Sequence, residues 1–363
     1  MPAITNRLKC LTFAAAASVC AALSAGSAQA EVALIFSTHT GPGAISAKQY
    51  DAYLEELSKR TNGAVTIKDK FYSQALIKAT DQAKGIAQGL ADVGYVCVGY
   101  SPSLFPLTGM GEMPYLSEKG DSISAAFVDL YETNAEFKSE FERQGLVPLA
   151  MDAPAPTIIG VSREIKSADD LKGLKVRAYG ELGNIVAKGG GMTPVPMSTA
   201  EIATSMQTGV IDGYVGVPLW MPYPENWLPA TKTIVDPGIG TYYSCGLMMS
   251  KSVYEALPDD VKKVIGEMRR EFPKKSIAFV MEGDKATVEA AKKLGVTFYK
   301  FTPEEVAAWK ERVNQSAMEE EWIKTRSGQT GADVAAFFKA FKEAVGKHDA
   351  QSVYQSSFPT AGN

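Results

Sequence analysis

The chain holds two histidines, His39 and His348, and neither stands beside a cysteine or within a G-x-S-x-G elbow. It contains no H-E-x-x-H and no paired C-x-x-C, so no nucleophile triad and no transition-metal site is expected. Gly189-Gly-Gly191 lacks the lysine and the spacing that a phosphate-binding loop needs. The 41 acidic residues bring carboxylates near one another by chance, so no single acid pair stands out as catalytic machinery. What remains is recognition. Arg177 ends the stretch Leu174-Lys-Val-Arg-Ala178, where a planar guanidinium can meet a carboxylate with two parallel charge-assisted hydrogen bonds, which lysine cannot do. The competing reading is a surface arginine paired with Glu181 or an aspartate. The expectation is a non-enzymatic chain with no cofactor, no metal and no nucleic acid partner.

The elements around Arg177 read as a parallel α/β architecture. Val32–Phe36 has the character of a short buried strand. Tyr50, Tyr53, Leu54 and Leu57 then recur at helical spacing until Asn62-Gly63. Ala64–Phe71 alternates as a strand, a helix is expected from Ile77 to Ile86, and Asp92–Val98 makes a third strand. Strand, helix, strand, helix, strand is the pattern of crossover units on a parallel sheet. New material then repeats the pattern. Leu146–Ala150 and Thr157–Val161 are strands joined by a proline-rich link, and Leu174–Ala178 is another. Thr193–Pro196 reads as a turn, Ser198-Thr-Ala-Glu201 as a capping box opening a helix to Gly209, and Ile211–Val215 as a strand. Two such sheets joined by crossing strands leave a cleft at the carboxyl ends of the strands. Pro258-Asp-Asp260 opens a long helical stretch, expected to break near Phe272-Pro273, resume to Gly295 and brace both halves. The last residues, Gln351 to Asn363, read as poorly ordered.

The ends and the composition set the compartment. Arg7 and Lys9 precede an apolar run from Leu11 to Leu23, and Ala28-Gln-Ala30 supplies a signal-peptidase site, so residues 1–30 read as a cleaved signal peptide. At roughly a dozen residues, the apolar run is too short to span a membrane. Without Arg7 and Lys9, the 37 basic residues fall to 35 against 41 acidic, a charge of about −6 that disfavours nucleic acid. The remaining length exceeds what one core usually organises, so two domains are expected. Cys10 and Cys20 leave with the signal. Cys97 and Cys245 are read as two buried thiols, with a disulfide as the alternative that an oxidising compartment allows.

Five segments carry a family resemblance: Gly89-Leu-Ala-Asp-Val-Gly-Tyr95, Asp170-Leu-Lys-Gly-Leu-Lys-Val-Arg177, Pro194-Val-Pro-Met197, Gln207-Thr-Gly-Val-Ile-Asp-Gly213 and Leu257-Pro-Asp-Asp-Val261. Together, in this order over roughly residues 32 to 310, they resemble the DctP-type extracytoplasmic solute receptors of TRAP transporters. The resemblance implies a two-domain clamshell that closes on a small organic acid in the periplasm. It also implies delivery to a small and a large membrane permease subunit. The implied domains are 31–154 plus about 243–285, and 155–242 plus about 286–345, with a 346–363 tail; a monomer is the family default. Receptors of ATP-driven importers share the clamshell and are the alternative, as are a periplasmic enzyme on the same scaffold and a partner for a sensor kinase.

By the same resemblance, Arg177 is the arginine that salt-bridges the ligand carboxylate. His39 or Thr40, in the loop after the first strand, are expected at the ligand, although a lone histidine there can equally cap a turn. Tyr100 after the third strand and Tyr179 beside Arg177 are expected to face the cleft. So are Met197, Gly216, Tyr214 and Trp220, while Trp227 is assigned to the core. Many members carry D-G-Q-E-N-P where this chain reads Asp212-Gly-Tyr-Val-Gly-Val-Pro218, so the amide expected near Gly216 is missing. Sialic-acid receptors also carry a second arginine where Thr157 stands. A second carboxylate buried without a cation would be costly. The expected ligand is therefore a monocarboxylate with a hydrophobic or aromatic body.

Overall fold

The structure is a computed structural model that describes residues 31–359 apart from Pro154 and Tyr242. The signal-peptide reading lies outside the described residues. In chain order the first strands are β1 (Val32–Ser37), β2 (Val65–Phe71), β3 (Val93–Cys97), β4 (Leu146–Met151), β5 (Thr157–Val161) and β6 (Lys175–Arg177). The rest are β7 (Thr193–Val195), β8 (Gly213–Pro218), β9 (Thr233–Asp236), β10 (Cys245–Ser250) and β11 (Thr297–Lys300). They form two sheets, ordered β2-β1-β3-β10-β4 and β11-β9-β5-β8-β6-β7. In the first, β1 lies parallel to β2 and β3, while β10 runs antiparallel between β3 and β4. In the second, β6 is parallel to β7 and β8, and β5 runs antiparallel to β8 and β9. The chain passes between sheets after β4, after β9 and again before β11. This is a two-domain α/β clamshell.

Two aspartates of the family-like motifs act as equivalent clamps in the two domains. Asp92 accepts the Ile35 backbone N–H at 2.7 Å, fixing β1 beside the start of β3. Asp212 accepts the Lys175 N–H at 2.8 Å, fixing β6 beside the start of β8. Each therefore sets the register of a strand whose carboxyl end enters the cleft. A carboxylate that accepts a strand's backbone N–H accounts for both aspartates by hydrogen bonding alone.

Three expectations are corrected here. The helix Asp259–Lys293 runs unbroken through Pro273. A proline there forfeits one backbone hydrogen bond, but Phe272, Pro273, Ser276 and Ile277 are all buried, so packing holds the axis. Its first half joins the core of the first sheet through Val261, Ile265, Met268 and Phe272. Its second half joins the core of the second through Val280, Val288 and Ala291. Thr193–Val195, read as a turn, pairs with β6 as an edge strand, its Pro194 sitting where no further neighbour needs a donor. The tail is held over its described residues, 351–359: the Tyr354 hydroxyl donates to Asp284 at 3.1 Å, and the Phe358 ring packs at right angles to Phe298.

The cysteine reading is corrected too. Cys97 and Cys245 are facing partners on β3 and β10, and they form a disulfide across 148 residues of chain. No local pattern could reveal it, because β10 returns to the first sheet only after five of the six strands of the second sheet are built. The bridge ties the returning strand to the floor of the cleft.

Candidate ligand site in the interdomain cleft

The cleft is built from loops that follow the carboxyl ends of parallel strands. β1 leads to His39, β3 to Tyr100, β6 to Arg177 and Tyr179, and β7 to Met197 and Thr199. In an open α/β sheet the carboxyl ends are where backbone loops diverge and a crevice forms. An outer cavity of about 650 Å³ is lined by Lys78, Tyr100, Arg177, Tyr179, Met197 and Glu201 among others. Beneath it an inner chamber of about 10 Å³ lies between His39, Tyr100, Arg177, Thr199, Gly216 and Tyr243. Tyr100, Arg177 and Tyr179 line both spaces.

Arg177 is 1% exposed, and no carboxylate pairs with it among the described residues. Glu181, the alternative partner, is engaged by Arg326 at 2.6 Å instead. The guanidinium makes only neutral contacts: its Nε donates to the Met197 carbonyl at 3.2 Å and its Nη2 to the Tyr100 hydroxyl at 3.2 Å. Its carbon lies 5.4 Å from the centre of the Tyr179 ring. A buried cation without a counter-charge is costly, and it is attractive to an incoming anion for the same reason.

The Ser198–Glu201 capping box positions the remaining donors. Glu201 accepts the Ser198 N–H at 2.8 Å and the Ser198 hydroxyl at 2.7 Å, which pins the loop carrying Met197 O and Thr199 N. The Thr199 N–H points at the Tyr100 hydroxyl at 3.4 Å. That phenol oxygen therefore accepts from a guanidinium and a backbone amide together, the pair of donors a carboxylate oxygen would use. The Tyr100 ring is edge-on to His39 at 5.4 Å and to Tyr179 at 5.5 Å. Across the same seam the Gly99 N–H donates to the Tyr179 hydroxyl at 3.0 Å. A Cβ at Gly99 would lie 2.5 Å from that ring, so only glycine allows the approach.

His39 is buried and stacked parallel on Tyr95, with ring centres 5.0 Å apart. Tyr95 is in turn fixed by its hydroxyl bond to Asp152 at 2.9 Å. Burial, reinforced by the Arg177 charge, pushes the imidazole down to about 3, so it is neutral at ordinary pH. Its Nδ1 has no hydrogen-bond partner. Gly216 has φ of +76° and is the extra residue of a bulge, since Val215 and Val217 pair with consecutive residues Ile159 and Ile158. The bulge turns bare backbone toward the chamber where relatives of the D-G-Q-E-N-P type carry a side chain.

Of the expected site residues, Arg177, Tyr100, Tyr179, His39, Met197 and Gly216 meet at these walls. Four do not. Tyr214 is fully buried, its ring tilted against Trp227 with centres 4.9 Å apart and its hydroxyl hydrogen-bonded to Thr231. It lies so close to Gly160 that a Cβ there would sit 2.0 Å from its ring, which makes it a core residue. Trp220 packs on Gly283 and Ile45 beneath the long helix. Thr157 spends its hydroxyl on the Gly240 carbonyl at 2.9 Å, and Thr40 faces Thr38 and Ser46. Strand alternation sends Tyr214 inward, and this was readable in principle, but the bulge that decides the face was not. The reading missed the Thr199 N–H, Met221 and Tyr243, which enter only through the loop conformations.

Two α/β domains closing on a buried cation, with no group of His, Cys, Asp or Glu placed to hold a metal among the described residues, define a clamshell solute receptor. The chain belongs to the bacterial extracellular solute-binding protein family 7, the DctP family, whose model matches residues 36–323. It is a solute receptor of the TRAP type. The C4-dicarboxylate-binding periplasmic protein DctP of Rhodobacter capsulatus is 24% identical over 300 residues, 80% of this chain and 86% of that protein. A marine-metagenome TRAP solute-binding protein specific for aromatic acids, solved with metahydroxyphenylacetate, superposes with a TM-score of 0.78. It is 26% identical, covering 88% of this chain and all of that one (100%). A Rhodoferax ferrireducens TRAP protein with copurified benzoate gives 0.79 at 23% identity, covering 88% and 99%. No helix among the described residues is long and apolar enough to cross a membrane.

Proposed function

We propose that this receptor binds a monocarboxylate with an aromatic body in the periplasm and hands it to the small and large TRAP permease subunits. The observation that carries the reading is Arg177, buried without a carboxylate partner and surrounded by rings. In this reading the ligand carboxylate displaces the Tyr100 hydroxyl and takes Arg177 Nη2 and the Thr199 N–H. Its ring then lies between His39, Tyr179 and Tyr243 once domain opening has widened the inner chamber, which as it stands has room for about one water, and the cleft closes over it. Arg177 is the one cation lining the inner chamber, and His39 is neutral, so a second carboxylate would find no counter-charge there. This favours an aromatic monocarboxylate over the C4-dicarboxylate of the Rhodobacter relative, and the aromatic-acid receptor at 26% identity is the nearer parallel.

Closure is a population shift. The ligand favours the closed form only insofar as it touches both domains. The moving bodies in this reading are 31–154 plus about 243–285 and 155–242 plus about 286–345, in a monomer released by cleavage after Ala30. The test is thermal melting of the mature protein with aromatic, aliphatic and dicarboxylic acids. A ligand that binds only the native state raises the melting temperature by mass action. A shift confined to aromatic monocarboxylates, lost in Arg177→Ala, is expected; the largest shift with succinate or malate would overturn the proposal.

A further inference from the structure

Among the described residues, thirteen carry buried side-chain nitrogens or oxygens without a hydrogen-bond partner, and His39 is the only one of them lining the inner chamber. None of the other twelve lines the inner chamber or the outer cavity, although Glu112 stands behind the Tyr179 and Gly180 wall. His39 is 4% exposed, and its Nδ1 has no hydrogen-bond partner among the described residues. Its orientation is set from two sides, by the parallel Tyr95 ring and by the edge-on Tyr100 ring. A buried imidazole held this firmly with an unmet polar atom loses free energy in the ligand-free protein, and a partner arriving with the ligand restores it.

We infer that His39 reads a hydroxyl group on the ligand, so that the preferred substrates are hydroxy-substituted aromatic monocarboxylates. The inference rests on the monocarboxylate reading above and narrows it. The chemistry of the partner follows from the surroundings. A ligand ammonium would meet the Arg177 cation, and a second carboxylate would meet an imidazole kept neutral by burial. A hydroxyl both donates and accepts, so it fits either tautomer of a neutral ring without bringing charge into the chamber. Its position follows from Tyr100. That side chain gives its oxygen to Arg177 and sets its ring perpendicular to His39, so His39 lies on the ring side of Tyr100, in the chamber that Arg177 also lines. The hydroxyl therefore belongs on the ring or on the carbon next to it.

The test compares parent acids with their hydroxylated forms: benzoate against its 2-, 3- and 4-hydroxy isomers, and phenylacetate against mandelate and 3-hydroxyphenylacetate. Calorimetry on the mature wild type should show at least one hydroxylated form binding about tenfold or more tighter than its parent, because a site built for a hydroxyl leaves a polar atom unpaired when the hydroxyl is missing. His39→Phe should bring that ratio to near one, whatever it does to the affinity for the parent acids themselves. His39→Gln, which keeps a donor and an acceptor and guards against misfolding of the first variant, should retain part of it. The chain has two histidines, so nitrogen-15 histidine labelling gives one cleft imidazole and one reference from His348. The His39 ring resonances should move with the hydroxylated acid and hardly at all with its parent. Equal binding of every pair by the wild type, or an unchanged ratio in His39→Phe, would overturn the inference and leave the monocarboxylate reading standing. Failure of all aromatic acids to bind would remove both.

Discussion

Replacing Arg177 by alanine should move ligand affinity and ligand-free stability in opposite directions. In the structure the guanidinium is almost fully buried, holds two neutral hydrogen bonds of 3.2 Å each, and has no carboxylate partner. Truncating one member of a buried, hydrogen-bonded charge pair costs about 2–5 kcal/mol of binding. A loss of about 2–4 kcal/mol corresponds to roughly 30-fold to 1000-fold weaker binding. Without ligand, the same mutation removes a desolvated cation whose attraction to neutral oxygens only partly offsets its burial. The ligand-free variant should therefore melt at or above the wild-type temperature. Arg177→Lys keeps the charge but loses the fork and the planar face over Tyr179, and should fall between wild type and alanine.

Titration calorimetry with an aromatic monocarboxylate gives the affinity, and denaturant unfolding without ligand gives the stability. Unchanged affinity in Arg177→Ala would place the carboxylate elsewhere in the cleft. A weaker affinity accompanied by an equal loss of ligand-free stability would make Arg177 a structural residue, and the reasoning from its missing counter-charge would fail.

Two further outcomes follow from the same geometry. Tyr100→Phe removes the oxygen that occupies Arg177 Nη2 and the Thr199 N–H, so carboxylates should bind about threefold to tenfold tighter, the worth of one or two modest hydrogen bonds. Weaker binding by calorimetry would show instead that the hydroxyl contacts the ligand. Asp284 is fully buried, and burial pushes its carboxyl up to about 8, against the bonds from Tyr354 and the Trp220 backbone that pull it down. A folded-state value above the unfolded one means stability present near pH 4 that is lost as pH rises toward 8. Asp284→Asn should thus match wild type near pH 4 and exceed it by a few kcal/mol above pH 8. A difference that does not change with pH in parallel melts would refute this assignment.

The sheet frame was legible because its strands are short apolar runs bounded by glycine, and because Asp92 and Asp212 mark the strand entries. Arg177 stood out because the family resemblance singled it out and guanidinium chemistry suits a carboxylate, and the structure buries it at the cleft. What was not legible depended on returning chain. The Cys97–Cys245 bridge requires knowing that β10 comes back beside β3. Tyr214 and Trp220 looked like pocket aromatics because they cluster after a strand, but the bulge at Gly216 sets which side chains face the chamber. Pro273 looked like a break because propensity is local, while the helix is held by two cores at once. In each case a tertiary contact overrode a local signal.

The cross-cleft contacts explain how such a site can couple binding to closure. The described bonds at the seam, from Arg177 Nη2 and the Thr199 N–H to the Tyr100 hydroxyl and from the Gly99 N–H to the Tyr179 hydroxyl, join the domains through neutral oxygens. Two of the three end on Tyr100 and can be taken over by a carboxylate, whose charge makes each stronger. The third is independent of the ligand and keeps the two walls in register while the exchange occurs. A ligand lacking a carboxylate would have to give up these bonds without a stronger replacement, and would not shift the balance toward closure. In the proposed reading, discrimination between acids and their neutral analogues therefore resides in the exchange at Arg177, and the ring-lined walls decide among acids.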